Sequence, residues 1–179
     1  MKKSNTRLMS LCAVLGAAYA VMTIVLAPIS YGALQFRVSE ALCIMPFFVP
    51  GCEWGLFAGC VLANLMTGNV FDVVFGSLAT LLAGLCTAAV GRRGLGLKRA
   101  AVACLMPVVF NSVIVGAVIT QAYNGINIFS HPAAYAINAL QVGIGEAGVM
   151  YLLGLPLCSY LPRKKFFREF RERIINNHE

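Results

Sequence analysis

The run from Ala133 to Leu161 is apolar over most of its length, and its only charged side chain is Glu146, near the middle. The run is longer than the roughly 20 residues that a helix needs to cross a bilayer. A carboxylate at the centre of a membrane helix costs roughly 2.5–3.5 kcal/mol on insertion scales, so such residues usually face a polar cavity, a partner charge or a substrate. The run therefore predicts a transmembrane helix beside a binding site within the membrane.

The chain as a whole is too apolar for an ordinary soluble domain. Of its 179 residues, 59% are hydrophobic and 12% are charged, whereas soluble domains carry roughly 25% charged residues. Six apolar segments predict an all-α integral membrane protein, a single six-helix bundle over residues 1–179. The predicted spans are Leu8–Leu26, Ser39–Val49, Trp54–Met66, Phe71–Val90, Ala100–Ala122 and Ala133–Leu161. Because the second and third are short, we expect them to line a cavity rather than to face lipid on all sides.

The basic residues indicate an orientation, because Lys and Arg are enriched on the cytoplasmic side of membrane proteins. With six spans, Arg37 lies on one side, and all other basic residues lie on the opposite side: Lys2, Lys3, Arg7, Arg92, Arg93, Lys98, Arg99, Arg163, Lys164, Lys165, Arg168, Arg171 and Arg173. Both termini are therefore expected in the cytoplasm. The basic tail Pro162–Glu179 carries apolar residues at near-helical spacing, which predicts an amphipathic segment that lies on the anionic inner leaflet or docks onto a partner.

The first apolar segment has some features of a signal peptide. Basic residues precede it, and Ala18-Tyr19-Ala20 resembles a cleavage site. Apolar residues continue beyond that site to Leu26, so we expect a retained span. A stripe of small residues at helical spacing permits close contact with a neighbouring helix of the bundle or with another subunit. This stripe consists of Ala13, Gly16, Ala17 and Ala20.

Motifs for catalysis or cofactor binding are missing from the sequence. Gly143–Gly148 matches G-x-G-x-x-G, but the match lies inside an apolar helix instead of a strand-turn-helix unit. There is no P-loop, no H-E-x-x-H, no G-x-S-x-G and no C-x-x-C pair, and the seven cysteines lie mostly in apolar segments. We therefore expect a protein without enzymatic activity, metal or cofactor of its own, whose polar groups serve recognition.

Several polar side chains within the apolar segments are candidates for binding. On the last span, Asn138 and Gln141 are about 60° apart and Glu146 lies about 80° to the other side of Asn138, so one polar sector can hold all three. Each amide, including Asn64 and Asn111, could instead hydrogen-bond a neighbouring helix. Glu40 and Asp72 begin spans, where Arg37 could pair with Glu40 and where Asp72 resembles a helix-capping residue.

Much of the membrane region resembles the QueT family of queuosine-precursor transporters. The resemblance rests on LAPISYGALQFRVSEAL at 26–42, MPFF at 45–48, ANL at 63–65 and FDVVFGSLATLLA at 71–83. It continues through PVVFNS at 107–112, NALQVGIGE at 138–146 and LGLP at 153–156. The termini and the loop 92–99 look generic.

This resemblance implies the substrate-binding S component of an energy-coupling-factor (ECF) importer in the bacterial plasma membrane. Such a component has six helices and captures a 7-deazaguanine queuosine precursor, or queuine, outside the cell. It associates with a transmembrane coupling subunit and two ATPase subunits, which use ATP, and the small-residue stripe of the first helix would contact the coupling subunit. The loaded component would then reorient as a body to release its substrate inside.

The chemistry of such a base suggests roles for the polar residues. A guanine-like ring presents two adjacent N–H donors, which one carboxylate can accept, and a carbonyl that needs a donor. Glu146 is the first choice for the carboxylate and Glu40 the second. Asn111, Asn138 or Arg37 could serve the carbonyl, and the stacking candidates are Phe36, Tyr31 and Phe71. The remaining candidates for substrate binding are Asn64, Asp72 and Gln141.

Two other classes of protein compete with this interpretation. A stand-alone ion-coupled carrier for a small nucleobase-like solute would use Glu40, Asp72 and Glu146 as groups that titrate during transport. The absence of an internal inverted repeat would favour an S component over such a carrier. An intramembrane enzyme is opposed by the missing metal and nucleophile motifs.

Overall fold

A computed structural model describes residues 3–31 and 35–175. These ranges form eight helices and contain no strand, which confirms the predicted all-helical class for this part of the chain. The helices are α1 (Lys3–Val25), α2 (Ala27–Ser30), α3 (Val38–Phe48), α4 (Glu53–Leu65), α5 (Asp72–Arg92), α6 (Leu97–Tyr123), α7 (Pro132–Arg163) and α8 (Lys165–Ile175).

Four of the described helices are long and apolar enough to cross a membrane, namely most of α1 together with α5, α6 and α7. Helices α3 and α4 are also apolar but shorter. The six predicted apolar segments thus recur as helices, while six complete spans stay a prediction. The long helices extend two or three residues beyond the apolar runs, as α5 does to Arg92 and α6 does back to Leu97, because a helix can continue with charged side chains at the bilayer surface.

Helix α3 is buried along most of its length, as expected for a short segment next to a cavity. It begins with a 3₁₀ segment, Val38–Ile44, and ends with a single α-helical turn that contains Pro46. Helix α4 differs, because one face is buried and the other exposes Trp54 and Leu62. The two short helices therefore connect the interior of the bundle to its surface.

Helices α1 and α4 pack so closely that their backbones are in contact at three glycines, Gly16, Gly55 and Gly59. A Cβ atom placed on Gly16 would lie 2.5 Å from the carbonyl oxygen of Gly55, and one on Gly59 would lie 2.8 Å from the Cα atom of Gly16. No larger residue can occupy these positions without a shift of the backbone. The predicted small-residue stripe is thus divided, since Gly16 and Ala20 are buried inside the bundle while Ala13 and Ala17 are exposed.

The amphipathic helix predicted for the tail is present as α8, and its apolar side packs on the bundle itself. Phe167 makes an edge-to-face contact with Phe48 at a centroid distance of 5.4 Å, and Ile174 is buried. The Arg171 Nε atom donates a hydrogen bond to the Phe48 carbonyl oxygen at 2.8 Å. Predictions for Lys2 and for residues 176–179 of the tail lie outside the described residues.

We expect Gly59→Ala to destabilise the protein, because the added methyl group must displace the α1 backbone. Overpacking of this kind typically costs about 1–3 kcal/mol. Thermal unfolding in detergent should show a lower midpoint. Gly96→Ala is the matched control, since a Cβ at Gly96 meets nothing within 4 Å. Equal midpoints for the two variants would contradict the close α1–α4 contact.

Candidate functional site

A cluster of buried polar side chains lies where α1, α3, α4, α5, α6 and α7 meet. Six of the predicted site residues belong to it, and each is at most 5% exposed. They are Arg37, Glu40, Asn64, Asp72, Asn111 and Glu146. Within the described ranges, this cluster holds three carboxylates and a single cation, Arg37. We call it the inner site.

Glu40 is held by hydrogen bonds from two neighbouring residues. The Tyr19 hydroxyl of α1 donates to one carboxylate oxygen, and the Cys43 thiol donates to the other at 3.0 Å. The Tyr19 hydroxyl also lies 3.6 Å from the Cys60 sulfur of α4. Because both of its oxygens are occupied, Glu40 is a less accessible acceptor than Glu146.

Arg37 connects the segment before α3 to α5. Its guanidinium lies 3.9 Å from the Asp72 carboxylate and 5.2 Å from the centre of the Tyr31 ring. The sequence suggested a pair with Glu40, and the structure corrects this, because Arg37 is in extended backbone before the 3₁₀ segment and reaches across to α5. Its Nη2 atom is buried and has no hydrogen-bond partner among the described residues.

Glu146 is the least satisfied carboxylate of the inner site. Its side chain is 2% exposed, and its Oε1 atom makes no hydrogen bond to any described residue. Asn111 lies beside it, and Glu40 and Arg37 are the charged groups that act on it. Two residues further along α7, a Cβ atom at Gly148 would lie 3.0 Å from the ring of Phe36, which therefore packs against another face of this helix.

Asn64 of α4 completes the inner site. Its amide nitrogen donates to the Asp72 carbonyl oxygen at 3.1 Å, and the Ser77 hydroxyl and Cys60 sulfur lie within 3.4 Å of the same atom. The Asn64 Oδ1 atom is buried without a partner among the described residues. Two acceptors, on Glu146 and Asn64, thus make no hydrogen bond to a described residue, and neither does the Nη2 donor of Arg37, which lies 3.9 Å from the Asp72 carboxylate. Each unpaired buried polar group typically costs about 1–3 kcal/mol.

A separate cavity of about 250 Å³ lies next to the inner site at one end of the bundle. We call it the outer cavity, and its walls are Tyr31, Gln35, Ile119, Tyr123, Asn124, Asn138 and Gln141. Tyr31 faces both the cavity and Arg37, and the Tyr123 side chain, which also lines the cavity, lies near Asp72. The outer cavity therefore adjoins the Arg37–Asp72 pair.

The structure places the other predicted site residues at different depths. Asn138 and Gln141 line the outer cavity, and the Asn138 amide donates to the Thr120 hydroxyl at 2.9 Å. Glu146 follows Asn138 by about 12 Å along the helix axis, so the polar sector of α7 extends from the cavity to the inner site. Phe71 is 53% exposed and stacks on Phe75, and no described contact joins it to either place.

Some residues of the site were not predicted. Tyr19 holds Glu40, although in the sequence it stands within a triplet that resembles a cleavage site. The outer cavity also uses Gln35, Tyr123 and Asn124, which lie at or beyond the ends of helices. A tyrosine in the middle of an apolar span is a usable signal, because a buried tyrosine hydroxyl needs a partner.

A membrane bundle with ionisable groups buried next to an end cavity is typical of a transport protein. Comparison with known families agrees, because the model of the QueT transporter family matches residues 9–163. The chain belongs to the QueT transporter family.

A curated relative is the queuosine precursor transporter QueT of Lactococcus lactis subsp. cremoris (strain MG1363). It is 38% identical over 84 residues, which cover 46% of this chain and 50% of the relative. The chain thus matches about half the length of that protein. No solved structure matches the chain.

We expect Arg37→Gln to destabilise the protein by about 3–5 kcal/mol, as removal of one partner from a buried ion pair typically does. The thermal midpoint in detergent should fall, and the additional change Asp72→Asn should restore part of it, because the pair at 3.9 Å then loses both charges. Arg93→Gln is the control, since Arg93 is exposed. If Arg37→Gln and Arg93→Gln have the same thermal midpoint, the charge of Arg37 does not stabilise the buried carboxylates.

Proposed function

We propose that the protein is the substrate-binding S component of an ECF-type importer and that it captures a 7-deazaguanine base, either a queuosine precursor or queuine. The observation that carries this proposal is the set of buried atoms in the inner site that make no hydrogen bond to a described residue. Glu146 Oε1 and Asn64 Oδ1 are acceptors, and Arg37 Nη2 is a donor group. The guanine-type edge of a 7-deazaguanine offers the complementary set, adjacent N–H donors next to a carbonyl oxygen.

The inner site suggests a role for each neighbour of the bound base. Glu146 would accept the paired N–H donors, with Asn111 beside it, and Arg37 would donate to the carbonyl oxygen. Phe36, which packs against α7 at Gly148, and Tyr31, which lies over the Arg37 guanidinium, are the aromatic candidates to stack on the ring. Glu40 and Asp72 would hold Tyr19 and Arg37 in position. Asn138, Gln141 and Tyr31 would contact the ligand in the outer cavity.

Transport would be driven by partner subunits that hydrolyse ATP. Support comes from the exposed side of α1, where Ala13 and Ala17 border an apolar groove of about 580 Å³ together with Trp54, Ala58 and Leu62 of α4. Such a surface of small residues lets another helix approach closely. We infer that a transmembrane coupling subunit binds here.

The proposed orientation places the outer cavity outside the cell and both termini in the cytoplasm. It is supported by the basic residues that precede α6 and follow α7, which lie at the end of the bundle where α8 packs. The outer cavity is formed by the connections at the opposite ends of α6 and α7.

A stand-alone ion-coupled carrier is the second candidate, because three buried carboxylates face one guanidinium within the described part of the inner site. Carboxylates in excess could exchange protons during transport. Uptake that needs no ATPase partner would favour this candidate.

The proposal predicts that Glu146→Gln lowers the affinity for a 7-deazaguanine base at least about tenfold. The change keeps the size of the side chain but replaces an accepting oxygen by a donor, so one N–H would meet another. Calorimetric titration of the folded variant with queuine and its cyano and aminomethyl precursors, with guanine for comparison, measures the effect. An unchanged dissociation constant would remove Glu146 from the site.

Glu53→Gln is the matched control for this titration. Glu53 is also a buried glutamate, 3% exposed, but its carboxylate accepts a hydrogen bond from the Gly51 backbone at the other end of the bundle. We expect it to keep the wild-type affinity. A loss as large as that of Glu146→Gln would mean that both changes act through general destabilisation.

The coupling proposal predicts that Ala13→Leu combined with Ala17→Leu abolishes uptake and leaves ligand binding by the isolated chain nearly unchanged. The larger side chains would block an exposed helix surface. Ala13 and Ala17 do not belong to the inner site, so ligand binding should be preserved. Val14→Leu is the control, because Val14 is exposed on the same helix but lies off the small-residue stripe. Normal uptake in cells with the double variant would contradict the coupling role of α1.

A further inference from the structure

A second large cavity, of about 620 Å³, lies at the end of the bundle where α8 packs. The start of α1, the end of α3, the end of α5 and α8 form its walls. Most of the wall is apolar and includes Leu8, Phe47, Pro50, Leu95 and Ile174. An apolar cavity of this size can hold part of an acyl chain.

The mouth of this cavity is cationic. Arg92 and Arg171 line it directly. Gly94 also lines it, and a Cβ atom at Gly94 would lie 3.2 Å from the Cζ atom of Arg99, so the Arg99 guanidinium packs on a residue of the cavity wall. No ion pair involves these three arginines within the described ranges.

The wall formed by α8 is fixed in place by the bond from Arg171 to the Phe48 carbonyl oxygen at 2.8 Å. Partial burial lowers the pKa of Arg171 from its ordinary value, which reflects a desolvation cost of the charged group. An anion in the cavity would offset this cost.

Exposed aromatic residues at the same end of the bundle suit a position of this cavity at the membrane surface. Trp54, at the start of α4, and Tyr160, near the end of α7, are both more than half exposed at this end of the bundle. Trp and Tyr side chains are enriched at the membrane–water interface. Basic pockets between membrane helices at that depth are suited to anionic lipid headgroups.

We propose that this cavity binds an anionic phospholipid, with the headgroup phosphate on Arg92, Arg99 and Arg171 and an acyl chain along the apolar wall. The apolar wall favours a lipid over a free phosphate ion, which would have no group to place there. The lipid would connect α5, α8 and the start of α1. This site lies outside both the inner site and the outer cavity, and the inference is independent of the proposed substrate.

The test is a lipid titration of the purified, delipidated full chain, followed by native mass spectrometry. We expect phosphatidylglycerol to bind at least about tenfold more tightly than phosphatidylcholine, because each basic residue near an anionic lipid contributes on the order of 1 kcal/mol. Arg92→Gln combined with Arg99→Gln should abolish this preference. Both arginines are exposed, so the variant should fold, and its thermal midpoint checks this.

Arg93→Gln combined with Lys98→Gln is the matched control, since it removes the same charge from the same loop at exposed positions that do not line the cavity. This variant should keep the preference. An equal loss in both variants would overturn the proposal in favour of a general charge effect, and equal binding of both lipids by the wild type would also overturn it. Glycerol phosphate should compete poorly, and competition as strong as that of phosphatidylglycerol would exclude the acyl-chain contact.

Discussion

The arrangement of the bundle interior depends on the charge of Arg37. Moving an ion out of water costs several kcal/mol even after relaxation, and three carboxylates are buried in the described part of the inner site. Arg37 offsets part of this cost, because its guanidinium lies 3.9 Å from the Asp72 carboxylate. The same guanidinium also lies over the ring of Tyr31. This position requires the extended backbone before α3 and the short helix that follows. The extended backbone before α3 thus allows the cation of this cluster to reach α5.

The close crossing of α1 and α4 links the inner site to the outer surface of the protein. Gly16 lies three residues before Tyr19, and Gly59 immediately precedes Cys60, so the contact between the glycines brings the Tyr19 hydroxyl to both Glu40 and Cys60. The same rotation of α1 turns Ala13 and Ala17 outward. One helix thus holds a group of the inner site on one face and carries the proposed docking surface on the other. If a coupling subunit binds there as proposed, a shift of α1 caused by ligand binding would reach it directly.

Residue patterns predicted the helical segments, because long apolar runs are a property of local sequence. They also predicted the buried position of Glu146, because a carboxylate without a capping role inside such a run can be recognised locally. The partners of the polar groups depend on contacts between distant segments and could not be predicted. The spacing of three residues allows Arg37 to pair with Glu40, but Arg37 pairs with Asp72 because the chain is extended at that point. No sequence pattern indicates that Tyr19 holds Glu40, and Phe71, one of three candidates for stacking on the ligand, is exposed beside Phe75.

The two ends of the bundle are chemically different, and this difference restricts how a ligand can reach the inner site. Towards the α8 end, Phe47, Phe48 and Phe167 form a packed apolar layer beneath α8. Towards the other end, the amide-lined outer cavity adjoins Tyr31 and the Arg37–Asp72 pair. A polar base would pay a large desolvation cost in the first direction and would keep hydrogen-bond partners in the second. In the proposed orientation the α8 end is cytoplasmic, so this polar route would lead from outside the cell, in agreement with the proposed capture of an external solute.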